Sequence, residues 1–134
     1  MRRACLVGLL LGLLLVRAAH AQEAEVYTRA DVAGWVDDYA WWYETAAWPH
    51  DVLVQRALSV ARCETGNWDE RVINNARRGR YGEVGTFQFL PGPRSIFWLS
   101  PQGQAGYDYW DREANVAAAV YLIANGYGRH WTCF

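Results

Sequence analysis

The sequence predicts a mainly α-helical domain, and three observations carry that prediction. Apolar side chains recur at three- and four-residue spacing over 28–45 and again over 111–125. A third stretch, 51–64, is apolar enough to form a buried helix, and a glycine or a proline lies just beyond each of the three. The chain between the helices at 51–64 and 111–125 is polar and rich in turn residues, so at most a small β-hairpin is predicted there.

The first two helices have sequence signals at their ends. The helix over 28–45 is followed by Pro49, which breaks it. Asp51 is placed to cap the second helix, and Gly66 supplies its stop. Glu64 is therefore expected in the last turn of the second helix or just past it.

Between the second helix and the helix at 111–125 the chain is predicted to be mostly irregular. Its segments are a polar stretch at 67–85, a compact apolar stretch at 85–89, a proline turn at 91–93, a short helical or extended segment at 95–99 and a loop at 100–106. Binding and catalytic residues are commonly carried by loops of this kind.

Residues 1–21 have the pattern of a secretory signal peptide. A basic start precedes an apolar run at 6–16, and Ala19-His20-Ala21 has the small-x-small form of a cleavage site. The apolar run is shorter than the roughly 20 residues that a membrane span needs, so cleavage is favoured over an uncleaved anchor. We expect a secreted or cell-envelope protein without a stable membrane anchor, in which 22–50 forms an N-terminal helical extension and 51–134 the main domain.

The amino-acid composition of the chain argues against several classes of function. Three of the 13 basic residues lie in the signal segment, which leaves 10 against 14 acidic residues and argues against a nucleic-acid partner. No nucleotide, haem or metal motif is evident, so no cofactor and no metal site are predicted, and we expect a monomer. Aromatic residues make up 15% of the chain, and the excess favours ring faces exposed to sugars.

Two cysteines, Cys63 and Cys133, remain after the signal segment is removed. In an exported chain such a pair favours a disulfide. Two alternatives stay open at this point. Cys63 could be a reactive thiol working with His130 or His50, or the cysteines could bind a metal together with His130.

Glu64 is a candidate general acid. The partial negative charge at a helix C-terminus opposes a carboxylate, and apolar neighbours remove its hydration. Both effects raise the pKa, and a carboxyl group that keeps its proton near neutral pH can protonate a leaving group. The alternative is an exposed Glu64, or one paired with Arg62 or a later arginine.

Four sequence blocks resemble those of resuscitation-promoting-factor domains, which are related to lytic transglycosylases and goose-type lysozymes. CETGNW at 63–68 resembles their Cys-Glu-Ser-Gly-x-Asn-Trp signature. GTFQF at 85–89 is similar to the Gly-Leu-(Met or aromatic)-Gln block, and NVAAAVYL at 115–122 to Asn-Ile-x-x-Gly-x-x-Tyr-Leu. GRHWTC at 128–133 resembles the family ending, whose cysteine bridges to the one before the glutamate.

The resemblance implies a lysozyme-like fold over 51–134 and cleavage of the β-1,4 bond between N-acetylmuramic acid and N-acetylglucosamine in peptidoglycan glycan strands. Glu64 would be the catalytic acid and base. The family pattern implies that Gln88 faces the substrate and that the Tyr121 hydroxyl lies near the acid. Thr65 replaces the family serine but keeps a hydroxyl, and the loops at 67–85 and 91–110 differ from those of a typical short domain.

Residue type adds two candidate substrate contacts and one candidate second acid. Trp68 could present a ring face to sugar and Asn74 could hydrogen-bond glycan, although core packing and turn formation explain them equally well. Among Asp69, Glu70 and Glu83, Glu83 is the best candidate for a second carboxylate. The main alternative function is a non-catalytic glycan-binding domain on the same fold.

Overall fold

The computed structural model of the protein describes residues 25–134, so the predicted signal peptide at 1–21 lies outside the described residues. Within the described range the chain is mainly helical, which confirms the prediction of a mainly α class. The α-helices are α1 Arg29–Tyr43, α2 His50–Glu64, α3 Glu70–Ile73, α4 Pro101–Gln104 and α5 Arg112–Ala124. Short 3₁₀ helices span Ile96–Leu99 and Gly128–His130.

The core is built around α5, which packs against both α1 and α2. Most residues of α5 are buried, which agrees with its nearly continuous apolar sequence, since a helix apolar on all sides belongs inside a core. The largest fully buried side chains include Phe87, Phe97, Leu53, Ile73 and Leu122.

Helix α1 shares this core rather than lying apart from it. Thr28 and Asp31 form a capping box at its start, and Val32, Val36 and Ala40 are fully buried. Near the C-terminal end of α1 two tryptophans are exposed, Trp41 at 61% and Trp42 at 80%.

Two local expectations were wrong. Helix α2 begins at His50 after Pro49, and no side chain caps it, so Asp51 belongs to the first turn of the helix instead of preceding it. The predicted loop at 100–106 contains α4, because the Ser100 hydroxyl caps the chain and Pro101 supplies the φ angle of a first helical turn.

No β-hairpin forms in residues 25–134, where pairing is limited to an isolated antiparallel bridge between Val84 and Phe89. Among the same residues, no helix combines the length and the apolar character that crossing a membrane requires. The fold therefore consists of three long helices around one core, with a loop-rich segment between α2 and α5 that reaches the end of α2.

Candidate functional site

An open cavity of about 470 Å³ lies at the C-terminal end of α2. We call it the Glu64 cavity. Its walls are Glu64, six residues of the segment 79–90, the segment 94–96 and the C-terminal residues 130–132, and the six are Gly79, Arg80, Glu83, Gln88, Phe89 and Leu90. A second cavity of about 380 Å³ shares Glu64, Gly79, Arg80 and Gln88 with the first, so Glu64 lies where the two meet.

Glu64 owes its position to the abrupt end of α2. Gly66 adopts the left-handed conformation with φ 65°, which glycine tolerates without strain. The N–H of Gly66 bonds to the Cys63 carbonyl at 3.0 Å, and the next residues, Asn67 and Trp68, also have positive φ. The chain turns away at once, which leaves Glu64 at the end of the helix and facing the cavity.

The Thr65 hydroxyl stabilises the C-terminal end of α2 through two hydrogen bonds. The hydroxyl donates to the Ala61 carbonyl at 2.8 Å and accepts from the backbone N–H of Trp68 at 2.9 Å. Thr65 is only 1% exposed. The residue adjoins the second cavity, but its hydroxyl is used in fixing the turn that follows Glu64.

The Glu64 carboxyl is half-buried, and burial is the largest cause that raises its pKa. The negative charge of Glu83 raises the pKa further, whereas the backbone N–H of Cys133 acts in the opposite direction. The direction agrees with the sequence expectation. The alternative in which Glu64 is paired with an arginine is not found, since no ion pair within residues 25–134 involves it.

Gln88 lies across the cavity from α2, on a tightly turned loop. Its φ is 48°, a left-handed value that non-glycine residues seldom adopt and that is often found at functional sites. The side-chain amide donates to the Gly85 carbonyl at 2.7 Å, which leaves the amide oxygen available. Gln88 lines both cavities.

Asn115 holds this loop in place from α5. The side chain is fully buried, and its oxygen accepts from the Phe87 N–H at 3.0 Å. Its amide nitrogen donates to the carbonyls of Val84 at 3.1 Å and Tyr109 at 3.0 Å. Gly85 packs directly on the Asn115 amide, so a Cβ at position 85 would collide with it. Sequence analysis noted Asn115 only as the first residue of its block and missed this role.

The third wall is the C-terminal segment. A disulfide joins Cys63 to Cys133, with 6.0 Å between the Cα atoms, which confirms the predicted pairing. The Trp131 indole donates to the Phe87 carbonyl at 2.6 Å and its ring packs edge-on against Phe87. The reactive-thiol alternative is wrong, because both sulfur atoms are in the bridge.

Three of the residues predicted to lie at the site do not line the Glu64 cavity or the cavity beside it. The Asn74 amide bonds to the backbone of Tyr27, accepting at 2.8 Å and donating at 2.7 Å. The Tyr121 ring packs edge-on against Tyr43 with 5.3 Å between the centroids. The Trp68 ring packs on the core, with the Arg29 guanidinium 5.2 Å from its centroid. Each of these side chains is engaged in holding elements together.

The three candidates for a second catalytic acid differ in their ion pairs and in whether they line a cavity. Asp69 is held in ion pairs with Arg71 at 2.8 Å and Arg77 at 3.2 Å. The Arg71 hydrogen bonds are the main cause that lowers the Asp69 pKa, so this carboxyl stays ionised. Glu83 lines the Glu64 cavity, whereas Glu70 lines neither cavity.

Comparison of the chain with protein-family models, with curated proteins and with solved structures finds no match. The structure itself shows a mainly helical domain in which a disulfide lies beside a half-buried carboxyl group in an open cavity. Within residues 25–134 no three His, Cys, Asp or Glu side chains are grouped so as to hold a metal ion.

Proposed function

We propose that this protein is an exported peptidoglycan-cleaving enzyme, a muramidase or lytic transglycosylase. It would cut the β-1,4 bond between N-acetylmuramic acid and N-acetylglucosamine, with Glu64 as general acid and base. The observation that carries the proposal is the half-buried Glu64 carboxyl, its pKa raised by burial, at the meeting point of two open cavities. The sequence resemblance supplies the substrate class.

Glu64 has the properties of a proton donor. A carboxyl with a raised pKa keeps its proton closer to neutral pH and can pass it to the bridging oxygen as the bond breaks. The ionised Glu64 then takes a proton from the 6-hydroxyl of the sugar, which gives a 1,6-anhydro product, or from water, which gives hydrolysis. The acetamido oxygen of the substrate would shield the cation-like carbon.

Glu83 is assigned a supporting role. It lines the same cavity, but its carboxylate accepts the Tyr81 N–H at 2.7 Å and so helps to close the loop. Its charge also raises the pKa of Glu64, which favours the protonated acid. In a glycosidase that uses two carboxylates, the second carboxylate must reach the sugar or a water molecule. Here the Glu83 carboxylate is instead hydrogen-bonded within its own loop.

The test compares Glu64→Gln with Glu83→Gln on purified sacculi. Glu64→Gln removes the proton donor and is expected to reduce cleavage by a factor on the order of 100 or more. Glu83→Gln is the matched control and should retain substantial activity. Mass analysis of the released fragments distinguishes the products, since the anhydro product is lighter by one water.

Two results would contradict the proposal. Equal loss in both variants would mean that two carboxylates act together. No cleavage by the wild-type protein, with binding to sacculi intact, would favour the non-catalytic glycan-binding domain instead.

A further inference from the structure

Two arginines line the Glu64 cavity beside the carboxyl groups. They are Arg80, on the segment that faces the end of α2, and Arg94, which follows the proline turn. Both residues are exposed, and neither belongs to an ion pair within residues 25–134, in contrast to Arg71 and Arg77.

Arg80 projects from a loop that is closed by hydrogen bonds on both sides of it. The Gly79 N–H donates to the Glu83 carbonyl at 3.0 Å, and the Tyr81 N–H donates to the Glu83 carboxylate at 2.7 Å. The Arg80 guanidinium lies 5.6 Å from the centroid of the Tyr81 ring. The base of the side chain is therefore fixed.

Arg94 projects from a second fixed loop. Its neighbour Gly92 accepts from the Trp98 indole at 2.8 Å and from the Ser95 N–H at 3.2 Å. The Gly92 N–H in turn donates to the Tyr109 hydroxyl at 3.1 Å. Binding to a side chain whose backbone is already fixed orders fewer torsions, and so costs less conformational entropy, than binding to one on a mobile loop.

Two arginines and two glutamates line the Glu64 cavity. Arg80 and Arg94 share this cavity with Glu83 and the half-buried Glu64, and no ion pair within the described residues neutralises either guanidinium. Arginine pairs with carboxylates through two parallel hydrogen bonds, a geometry that selects planar anions. A neutral sugar chain would leave these two groups unused.

We infer that Arg80 and Arg94 bind a carboxylate of the substrate, so that the protein selects glycan strands whose attached peptides carry free carboxylates over uncharged glycan. This inference rests on the proposed function, because it names what distinguishes substrates at the same cavity. The lactyl group of muramic acid also carries a carboxylate once the peptide has been removed, so the experiment must separate the two sources.

Three forms of one glycan preparation provide the test. The first carries its peptides with free carboxylates, the second has had its peptides removed by an amidase, and the third has every carboxylate converted to an amide. Wild-type kcat/KM is expected to be highest on the first form and about tenfold lower on the third. Arg80→Gln/Arg94→Gln should lose this discrimination, whereas Arg129→Gln, an exposed arginine that lines neither cavity, should keep it.

Four results overturn the inference: no wild-type preference between the first and third forms, a preference that persists in the double variant, a preference that Arg129→Gln also abolishes, or equal activity on the second form.

If wild type cuts none of the three forms, the proposed function fails. Calorimetric titration of soluble fragments of the three forms into wild-type protein then decides the charge question. Tighter binding of the peptide carboxylates supports the inference, and equal or absent binding overturns it. Circular dichroism confirms that each variant is folded.

Discussion

Two acidic residues separated by one sharp turn have opposite environments. Glu64 ends α2, is half-buried, and has a raised pKa because burial removes its hydration. Asp69 caps the short helix α3 and is paired with Arg71 and Arg77, which lowers its pKa. The turn between them separates a carboxyl group suited to proton transfer from one that holds structure.

The difference shows how helix ends set the chemistry of an acid. At an N-terminus the backbone N–H groups and the helix dipole favour a carboxylate, and Asp69 accepts the Arg71 N–H at 3.0 Å. At a C-terminus the same dipole opposes a carboxylate, and Glu64 has no arginine partner within the described residues. An acid at the C-terminal end of a buried helix is therefore the one to examine for catalysis.

The largest expected effect comes from removing the disulfide. Cys63→Ala/Cys133→Ala releases the C-terminal segment that shields Glu64, and it should lower the free energy of unfolding by about 2–4 kcal/mol. Urea denaturation measures the loss. The reduced wild-type protein is the matched control and should lose a similar amount. An unchanged midpoint would mean that the C-terminal wall is held without the bridge.

The second-largest expected effect is the loss of stability when the Asp69 charge is removed. Its folded pKa lies below its unfolded value, so its contribution to stability is present above about pH 4 and is lost as the pH falls through the folded pKa. Asp69→Asn keeps an amide oxygen for the cap but removes the charge. Denaturation curves should show the variant less stable than wild type at pH 7 and closer to it in acid. A deficit that is the same at every pH would argue against the ion pairs, and Glu70→Gln is the control.

The smallest effect, of opposite sign, is expected at Glu64. Because its folded pKa is raised, ionisation costs the folded state stability as the pH rises above the unfolded value of about 4.3. Glu64→Gln should therefore be more stable than wild type at pH 7, and the gain should vanish in acid. Thermal unfolding at a series of pH values measures it. Loss of stability at pH 7 would show that the carboxylate is needed by the fold.

Local sequence patterns predicted the three long helices, the disulfide and the position of Glu64. Each depends on periodicity, an end signal or cysteine counting, which involve neighbouring residues or a simple pairing. Contacts between distant segments were not predictable in this way. Asn74 bonds to Tyr27, 47 residues away, and Tyr121 turns toward Tyr43, so neither lines the cavity at Glu64.

Arg94 shows why cavity residues escape sequence analysis. It lies outside every motif, and only the folding of the segment around Gly92 brings it to the same cavity as Glu64. Helix α4 was missed for a different reason. Its sequence, PQGQ, is too short to show helical periodicity, and it is stabilised by the Ser100 cap.

The buried Asn115 amide has a consequence for the order in which the molecule folds. It bonds to Phe87 and Val84, 28 and 31 residues earlier in the chain. The bonds from Asn115 to the loop that carries Gln88 form only when α5 docks against that loop, since contacts between distant residues require loop closure first. The wall of the cavity that carries Gln88 is then completed by a contact between distant segments, on a helix whose own structure is local.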